Sequence, residues 1–193
     1  MNSLTLIPTQ AKPLIKNTLI PYPTQAIRSS MEIAPTISLT NLPVFPTENP
    51  TLTENWKTYT NVKWGVSFKY PETWFPQVAP PSSEQGDAVN FYPNGVTPDP
   101  GGGGETPYNF VFTVENQEFQ NQTNERFISE ARQTGGNTVL NVAGKPAIRV
   151  DVYQNLRNYT IKLTNTNQLN FATYNKDAAI SLDTIVSTLK LTN

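Results

Sequence analysis

Residues 64–71 read Trp-Gly-Val-Ser-Phe-Lys-Tyr-Pro. Between Gly65 and Pro71, apolar residues alternate with Ser67 and Lys69, which is the period of a half-buried β-strand. Glycine and proline at the two ends are typical strand boundaries. The stretch therefore predicts a short strand with one face in a hydrophobic core.

The same alternation recurs along the chain, in segments separated by turn residues. These segments are Ala88–Tyr92, Asn109–Val114, Val139–Val142, Ala147–Val152, Tyr159–Leu163 and Leu169–Thr173. Two helices interrupt them. One is predicted to begin at an Asn124 cap and to end at Gly135, and the other spans residues 177–187. Hairpins with two interspersed helices predict an α+β fold with an antiparallel sheet, and argue against a doubly wound parallel sheet.

Composition narrows the class of function. The chain has 193 residues, 14 basic against 15 acidic side chains, no histidine and no cysteine. Without a basic excess, we expect no nucleic-acid partner. Without histidine or cysteine, the commonest general base, the usual nucleophilic thiol and the thiolate metal ligands are absent. We therefore expect no enzyme activity, no catalytic residue, no metal site and no cofactor.

The composition changes sharply near residue 55. Residues 1–54 hold 8 of the 17 prolines and none of the 10 glycines, and their only aromatic residues are Tyr22 and Phe45. This pattern is typical of a disordered Thr/Pro-rich linker. A second interpretation stays open, in which part of the segment docks on a partner or adds a strand to a sheet edge. The globular domain is predicted to span residues 55–193.

No secretory signal stands at the start of the chain, because the first residues lack a positive charge and an apolar core. No apolar run is long enough for a transmembrane helix. A Thr/Pro-rich segment ahead of a globular domain nevertheless suggests a tether. We therefore expect a membrane-tethered protein whose anchor and export signal are not in this sequence.

Surface aromatic residues are the candidates for ligand or partner contact. Trp64 lies at a turn and Trp74 follows soon after, and exposed rings of this kind stack on sugars or peptides. Core packing is the alternative for both. A long loop over residues 94–107 contains four consecutive glycines and the carboxylates Asp99 and Glu105, with Tyr108 directly behind it. These five side chains form the candidate contact set.

The same loop raises two further hypotheses. Because Glu105-Thr106-Pro107 follows the glycines, the loop lacks the lysine and helix of a phosphate-binding loop. Asp87, Asp99 and Glu105 carry oxygen ligands suited to calcium, but their spacing matches no EF-hand. An enzyme built on carboxylates alone would need two of Asp87, Asp99, Glu105 and Asp151 at catalytic separation.

Three motifs resemble one known family. Residues 55–61 and 64–71, followed by Trp74, are similar to the opening of PsbP-like domains. The turn over residues 142–147 resembles the central hairpin of that family, and residues 182–191 resemble its closing helix. The resemblance spans residues 55–193.

The resemblance implies an antiparallel sheet with helices on both sides. It also implies an exported, extracytoplasmic protein of bacterial type, often lipid-anchored or otherwise tethered to a membrane. It implies an interaction module that assists a membrane or envelope complex, with a protein partner there and no chemistry of its own. The ion-retaining role of the photosynthetic namesake does not carry over, because proposed metal sites there use histidine in part. A small-ligand or carbohydrate-binding module that uses the exposed aromatics and the 94–107 loop is the alternative.

Overall fold

The structure, a computed structural model, describes residues 38–79, 87–94, 96, 109–116, 122–152, 156–173 and 176–192. All of them belong to one unit of the chain, residues 35–193. The strands are β1 (Lys57–Asn61), β2 (Val66–Tyr70), β3 (Trp74–Val78), β4 (Asp87–Pro93), β5 (Phe110–Asn116), β6 (Asn137–Val142), β7 (Lys145–Val152), β8 (Leu156–Lys162), β9 (Asn167–Thr173) and β10 (Lys190–Leu191). The helices are α1 (Asn124–Gln133) and α2 (Lys176–Ser187), with short 3-10 helices at Leu39–Asn41 and Pro50–Leu52.

Two antiparallel sheets form the frame. The large sheet has the order β3-β4-β5-β9-β8-β7-β6, and the small sheet has the order β1-β2-β10. The α+β class and the antiparallel pairing are therefore as predicted, although the sequence pattern did not divide the strands between two sheets. The division places β2, the strand that the first motif predicts, in the middle of the small sheet.

Helices cover both faces of the large sheet. On one face, α2 and the small sheet bury a single core that includes Phe68, Phe112 and Leu182, each at most 1% exposed. On the other face, Phe127 and Ile128 of α1 pack with Leu42 and with partly buried Ile148 of β7. The expectation of helices on both sides of the sheet is confirmed.

Helix α1 begins one residue earlier than its predicted cap implies. Thr123 is the N-cap, and its Oγ1 accepts a hydrogen bond from the backbone N–H of Arg126 at 3.3 Å. Asn124, the predicted cap, is the first helical residue instead. The side-chain oxygen of an N-cap residue accepts a hydrogen bond from the amide two or three residues further along the chain, and the hydroxyl of Thr123 meets this requirement.

The segment 38–54, called the strap below, packs against the domain. Leu42 is 4% exposed and Phe45 is 9% exposed. Phe45 N–H donates to the carbonyl of Asn141 at 2.8 Å, and Asn141 N–H donates to the carbonyl of Pro43 at 2.8 Å. These two bonds form one parallel β-bridge, Val44 to Asn141, at the outer edge of β6.

The predicted domain boundary after residue 54 therefore lies inside the folded unit. It was placed too late because the buried residues of the strap stand between prolines, where no strand or helix period can develop. The second interpretation, in which part of residues 1–54 adds to a sheet edge, agrees with the position of Val44. The edge is that of β6 in the same chain. Residues 1–37 of the predicted linker lie outside the described residues.

The far end of the strap is fixed to the small sheet. The Glu48 carboxylate lies 2.6 Å from the Lys69 ammonium and accepts a hydrogen bond from Thr53 Oγ1 at 2.5 Å. The hydrogen bond from Lys69 is the main cause that lowers the pKa of Glu48. Thr53 is fully buried. The strap thus connects the edge of one sheet to the other sheet.

Candidate functional site

The turn between β1 and β2 carries the candidate residue Trp64. The backbone N–H of Trp64 donates to Asn61 Oδ1 at 3.3 Å, and Gly65 N–H donates to the carbonyl of Val62 at 3.3 Å. Gly65 has φ +61°, a conformation that glycine adopts without steric cost. This compact turn brings three consecutive side chains, Val62, Lys63 and Trp64, to the surface or its margin.

Trp64 is fixed by a carboxylate on the neighbouring sheet. Its indole Nε1 donates to Asp87 Oδ2 at 2.5 Å, and the Lys63 ammonium lies 2.9 Å from the same oxygen. The ammonium also lies 5.0 Å from the centre of the Trp64 ring, within the range of a cation–π contact. The hydrogen bonds from Lys63 and from Trp64, in that order, lower the pKa of Asp87.

Two strongly exposed aliphatic side chains accompany this cluster. Val62 is 88% exposed at the tip of the turn, and Val78 is 71% exposed at the end of β3. Val78 is paired with Val89, two residues from Asp87 on β4, so it lies at the same end of the sheet and on the same face as Asp87. We call Val62, Lys63, Trp64, Val78 and Asp87 the turn surface.

Trp74 does not belong to this surface. It is 9% exposed and packs against Phe110, with ring centroids 5.6 Å apart. A stacking role for Trp74 as an exposed contact residue is incompatible with this burial, and core packing accounts for it. The local sequence did not reveal the burial because Phe110 lies far along the chain.

The other three candidate residues, Asp99, Glu105 and Tyr108, lie outside the described residues, as does most of the 94–107 loop. Among the described residues no group of three or more acidic side chains could hold a metal ion. None of the described helices has the length and apolar character to cross a membrane.

The carboxylates do not converge on a catalytic cleft in the described part of the chain. Asp87 stands on β4 and Asp151 on β7, four strand positions apart in the large sheet. That separation is roughly 19 Å at the usual strand spacing, well beyond the distance between the paired carboxylates of a glycosidase. Each of the two is ion-paired with a basic side chain, Lys63 for Asp87 and Arg157 for Asp151.

A second polar cluster, which sequence reasoning missed, joins β8 to α2. The guanidinium of Arg157 hydrogen-bonds to Asp183 on α2 and to Asp151 at 2.6 Å. The hydroxyl of fully buried Tyr159 donates to Asp183 Oδ1 at 2.7 Å. Burial first, and then this bond to a carboxylate, raise the pKa of Tyr159. No local motif indicates the cluster, because its members meet only after the hairpin and the helix have packed.

The contribution of Trp64 depends on pH. Because the pKa of Asp87 in the folded chain lies below its ordinary value of 3.8, the bonds to Asp87 stabilise the fold above that value. They lose their effect as the pH falls through the lowered pKa. The part of the Trp64→Phe loss that comes from the bond to Asp87 should be less than about 1 kcal/mol at neutral pH, because Asp87 is 39% exposed.

Urea unfolding at about pH 7 and about pH 2 measures this difference. The loss caused by Trp64→Phe should be smaller in acid. In an Asp87→Asn background, the same substitution should have one value at both pH values. A loss that is equally pH-dependent without the Asp87 carboxylate would contradict the assignment.

Comparison with known proteins gives one finding about the fold. No family model matches the chain, and no curated protein matches it significantly. The chain is similar to the solution structure of cyanobacterial PsbP (CyanoP) from Synechocystis sp. PCC 6803, with 15% sequence identity and a TM-score of 0.44. The match covers 82% of this chain and 100% of that chain. A likeness at this level transfers no site and no activity.

Proposed function

We propose that this chain is a non-catalytic PsbP-like module that binds a protein partner through the turn surface. Its place is outside the cytoplasm, and the segment before the strap tethers it to a membrane, where it assists an envelope complex. The order of the three sequence motifs supports the PsbP-like class. The Thr/Pro-rich composition of residues 1–37 supports the tether.

The observation that carries the binding role is the combination of exposed aliphatic groups with a fixed tryptophan. Isolated exposed valines need no explanation, but Val62 lies in the same turn as Trp64, and Val78 lies at the same end of the sheet as Asp87, the acceptor of the Trp64 N–H. Interfaces are enriched in aromatic residues that lose little freedom on binding. The charge of Lys63 is compensated by Asp87, so a partner would meet a nearly neutral, partly apolar surface.

Affinity capture from native membranes tests the proposal with matched variants of the full chain. The wild type should recover a discrete protein, and the double variant Val62→Asp, Val78→Asp should recover at least about tenfold less, since charges in an interface core cost several kcal/mol. Leu52→Asp is the control, because Leu52 is 59% exposed and lies on the strap, outside the turn surface and outside residues 43–45. Equal recovery by all three proteins, or no discrete partner, would contradict the proposal.

The carbohydrate-binding alternative rests on Trp64 alone among the described candidates. Its ring already carries the Lys63 ammonium at 5.0 Å, and its N–H is bound to Asp87. The ammonium over the ring competes with a sugar for that face of the indole. We therefore prefer the protein-binding role.

A further inference from the structure

We propose that the outer edge of β6 accepts an extended peptide strand from a partner, and that residues 43–45 of the strap occupy this edge as an internal ligand. This second binding site is independent of the turn surface. Its occupant is a segment that runs parallel to β6, has a residue other than proline at the position of Pro43, and carries one aromatic side chain at the position of Phe45.

The outer edge of β6 is only partly bonded. Asn141 turns both its N–H and its carbonyl outward to the strap, and in an antiparallel pair every second residue faces the same way. Val139 and Asn137 therefore also face outward. Within the described ranges, no backbone group bonds to the outward N–H or carbonyl of these two residues. The strap uses one bridge of an edge that offers more.

The sequence of the strap explains why the pairing stops there. In a parallel ladder, the next bond upstream would join the N–H of residue 43 to the carbonyl of Val139. Residue 43 is proline and has no N–H. Upstream of it, the chain turns into the 3-10 helix Leu39–Asn41, which Ser38 caps. A segment with an ordinary residue at this position would gain the bond that the strap lacks.

Phe45 is the buried aromatic side chain of the strap. The ring of Phe45 stands edge-on to the ring of Tyr159, with centroids 5.5 Å apart, and is buried in the main core. Val44 points away and is 74% exposed. An incoming strand therefore needs an aromatic residue at the position of Phe45 and an N–H two residues before it, as in other cases of strand addition to a sheet edge.

The test uses the full chain with Phe45→Ala, which empties the aromatic site and leaves Leu42 and Glu48 in place. Three fluorescent peptides spanning residues 38–48 are titrated by anisotropy: the native sequence, a Pro43→Ala peptide, and the same peptide with an N-methyl group on residue 43. The Pro43→Ala peptide should bind about 2- to 10-fold more tightly than its N-methylated form, because the two differ only in the N–H. A fourth peptide, with Phe45→Ala, should not bind.

Wild-type protein and the Leu52→Ala variant are the controls, since Leu52 is 59% exposed and lies on the strap outside residues 43–45. Neither should bind the peptides comparably, because the strap fills the site. Equal affinity of the methylated and unmethylated peptides, or no binding to a folded Phe45→Ala chain, would overturn the proposal. If the turn surface bound no partner, these peptide titrations would still give the same result. The proposal for the turn surface and the proposal for the β6 edge can therefore fail independently.

A second measurement needs no substitution, in case Phe45→Ala prevents folding. Amide hydrogen exchange of the wild type should be at least about tenfold faster at Asn141, which is bonded only to the strap, than at Leu140 and Val142, which face β7. Equal exchange at the three amides would show that the strap does not open separately, and would overturn the role of internal ligand.

Discussion

Replacing Phe68 by alanine should lower the free energy of unfolding by about 3–5 kcal/mol. Phe68 is 1% exposed at the centre of the small sheet, and its ring meets rings from both sheets. The partners within 6.2 Å, centroid to centroid, are Tyr59, Phe91, Phe110, Phe112 and Phe171. Truncation leaves a cavity that this rigid aromatic layer cannot close.

Denaturant unfolding measures the loss, and Phe75→Ala is the matched control. Phe75 is half-buried on the other face of the large sheet and, among the rings of the described residues, stacks on Tyr92 alone, at 5.6 Å. Its truncation should cost about 1–2 kcal/mol, because one aromatic pair and part of a side chain are lost. Comparable losses for the two variants would mean that the two sheets are not joined through Phe68.

The second large effect is expected at Gly65. Its φ of +61° strains any other residue, and a Cβ there would lie 2.3 Å from the backbone oxygen of Thr192. Thr192 N–H also donates to the carbonyl of Gly65 at 2.8 Å, so the two backbones are held together. Gly65→Ala should therefore displace the segment after β10 and cost about 3 kcal/mol, of which about 1–2 kcal/mol is conformational strain.

Two other glycines separate strain from steric conflict. Gly144 has φ +78° but open space around its Cβ position, so Gly144→Ala should cost only the strain of about 1–2 kcal/mol. Gly135 has neither restriction, and Gly135→Ala should be neutral or stabilise by up to about 1 kcal/mol. Thermal unfolding of the three variants gives the order directly. If Gly144→Ala lowered the stability as much as Gly65→Ala, the steric conflict with Thr192 would not be a cause of the loss at Gly65.

Local periodicity was sufficient for most of the sheet and for α2. The alternation around Phe68 predicted β2, and the helical spacing of Leu182, Ile185 and Val186 predicted α2, because both patterns record which face meets the core. The cap of α1 was off by one residue, since Thr123 and Asn124 are both good caps and their side chains alone do not decide between them.

The candidate site was predictable only in part. Trp64 was expected at a turn near the surface and lies there, half-buried. Trp74 was offered as an equal candidate, but the burial of a tryptophan depends on partners such as Phe110, which no local pattern reveals. The role of Asp87 as acceptor for Trp64 was equally hidden, because β1, β2 and β4 meet only through the packing of two sheets.

The strap shows the limit most clearly. Leu42 and Phe45 are its buried apolar side chains, but Pro43 and Pro46 beside them gave the segment the composition of a linker. A protein that starts at residue 55 would lose both buried side chains and leave Asn141 without its backbone partners.

The bridge from Val44 to Asn141 also has a consequence for synthesis on the ribosome. The two residues are roughly a hundred positions apart, so at ordinary translation rates β6 emerges about 5 to 20 s after the strap that will cover it. During this interval the strap has no β6 edge to pair with. Prolines on either side of Phe45 keep the waiting segment from pairing with other nascent strands. The prolines that give the strap the composition of a linker thus also hinder wrong strand pairing before the chain is complete.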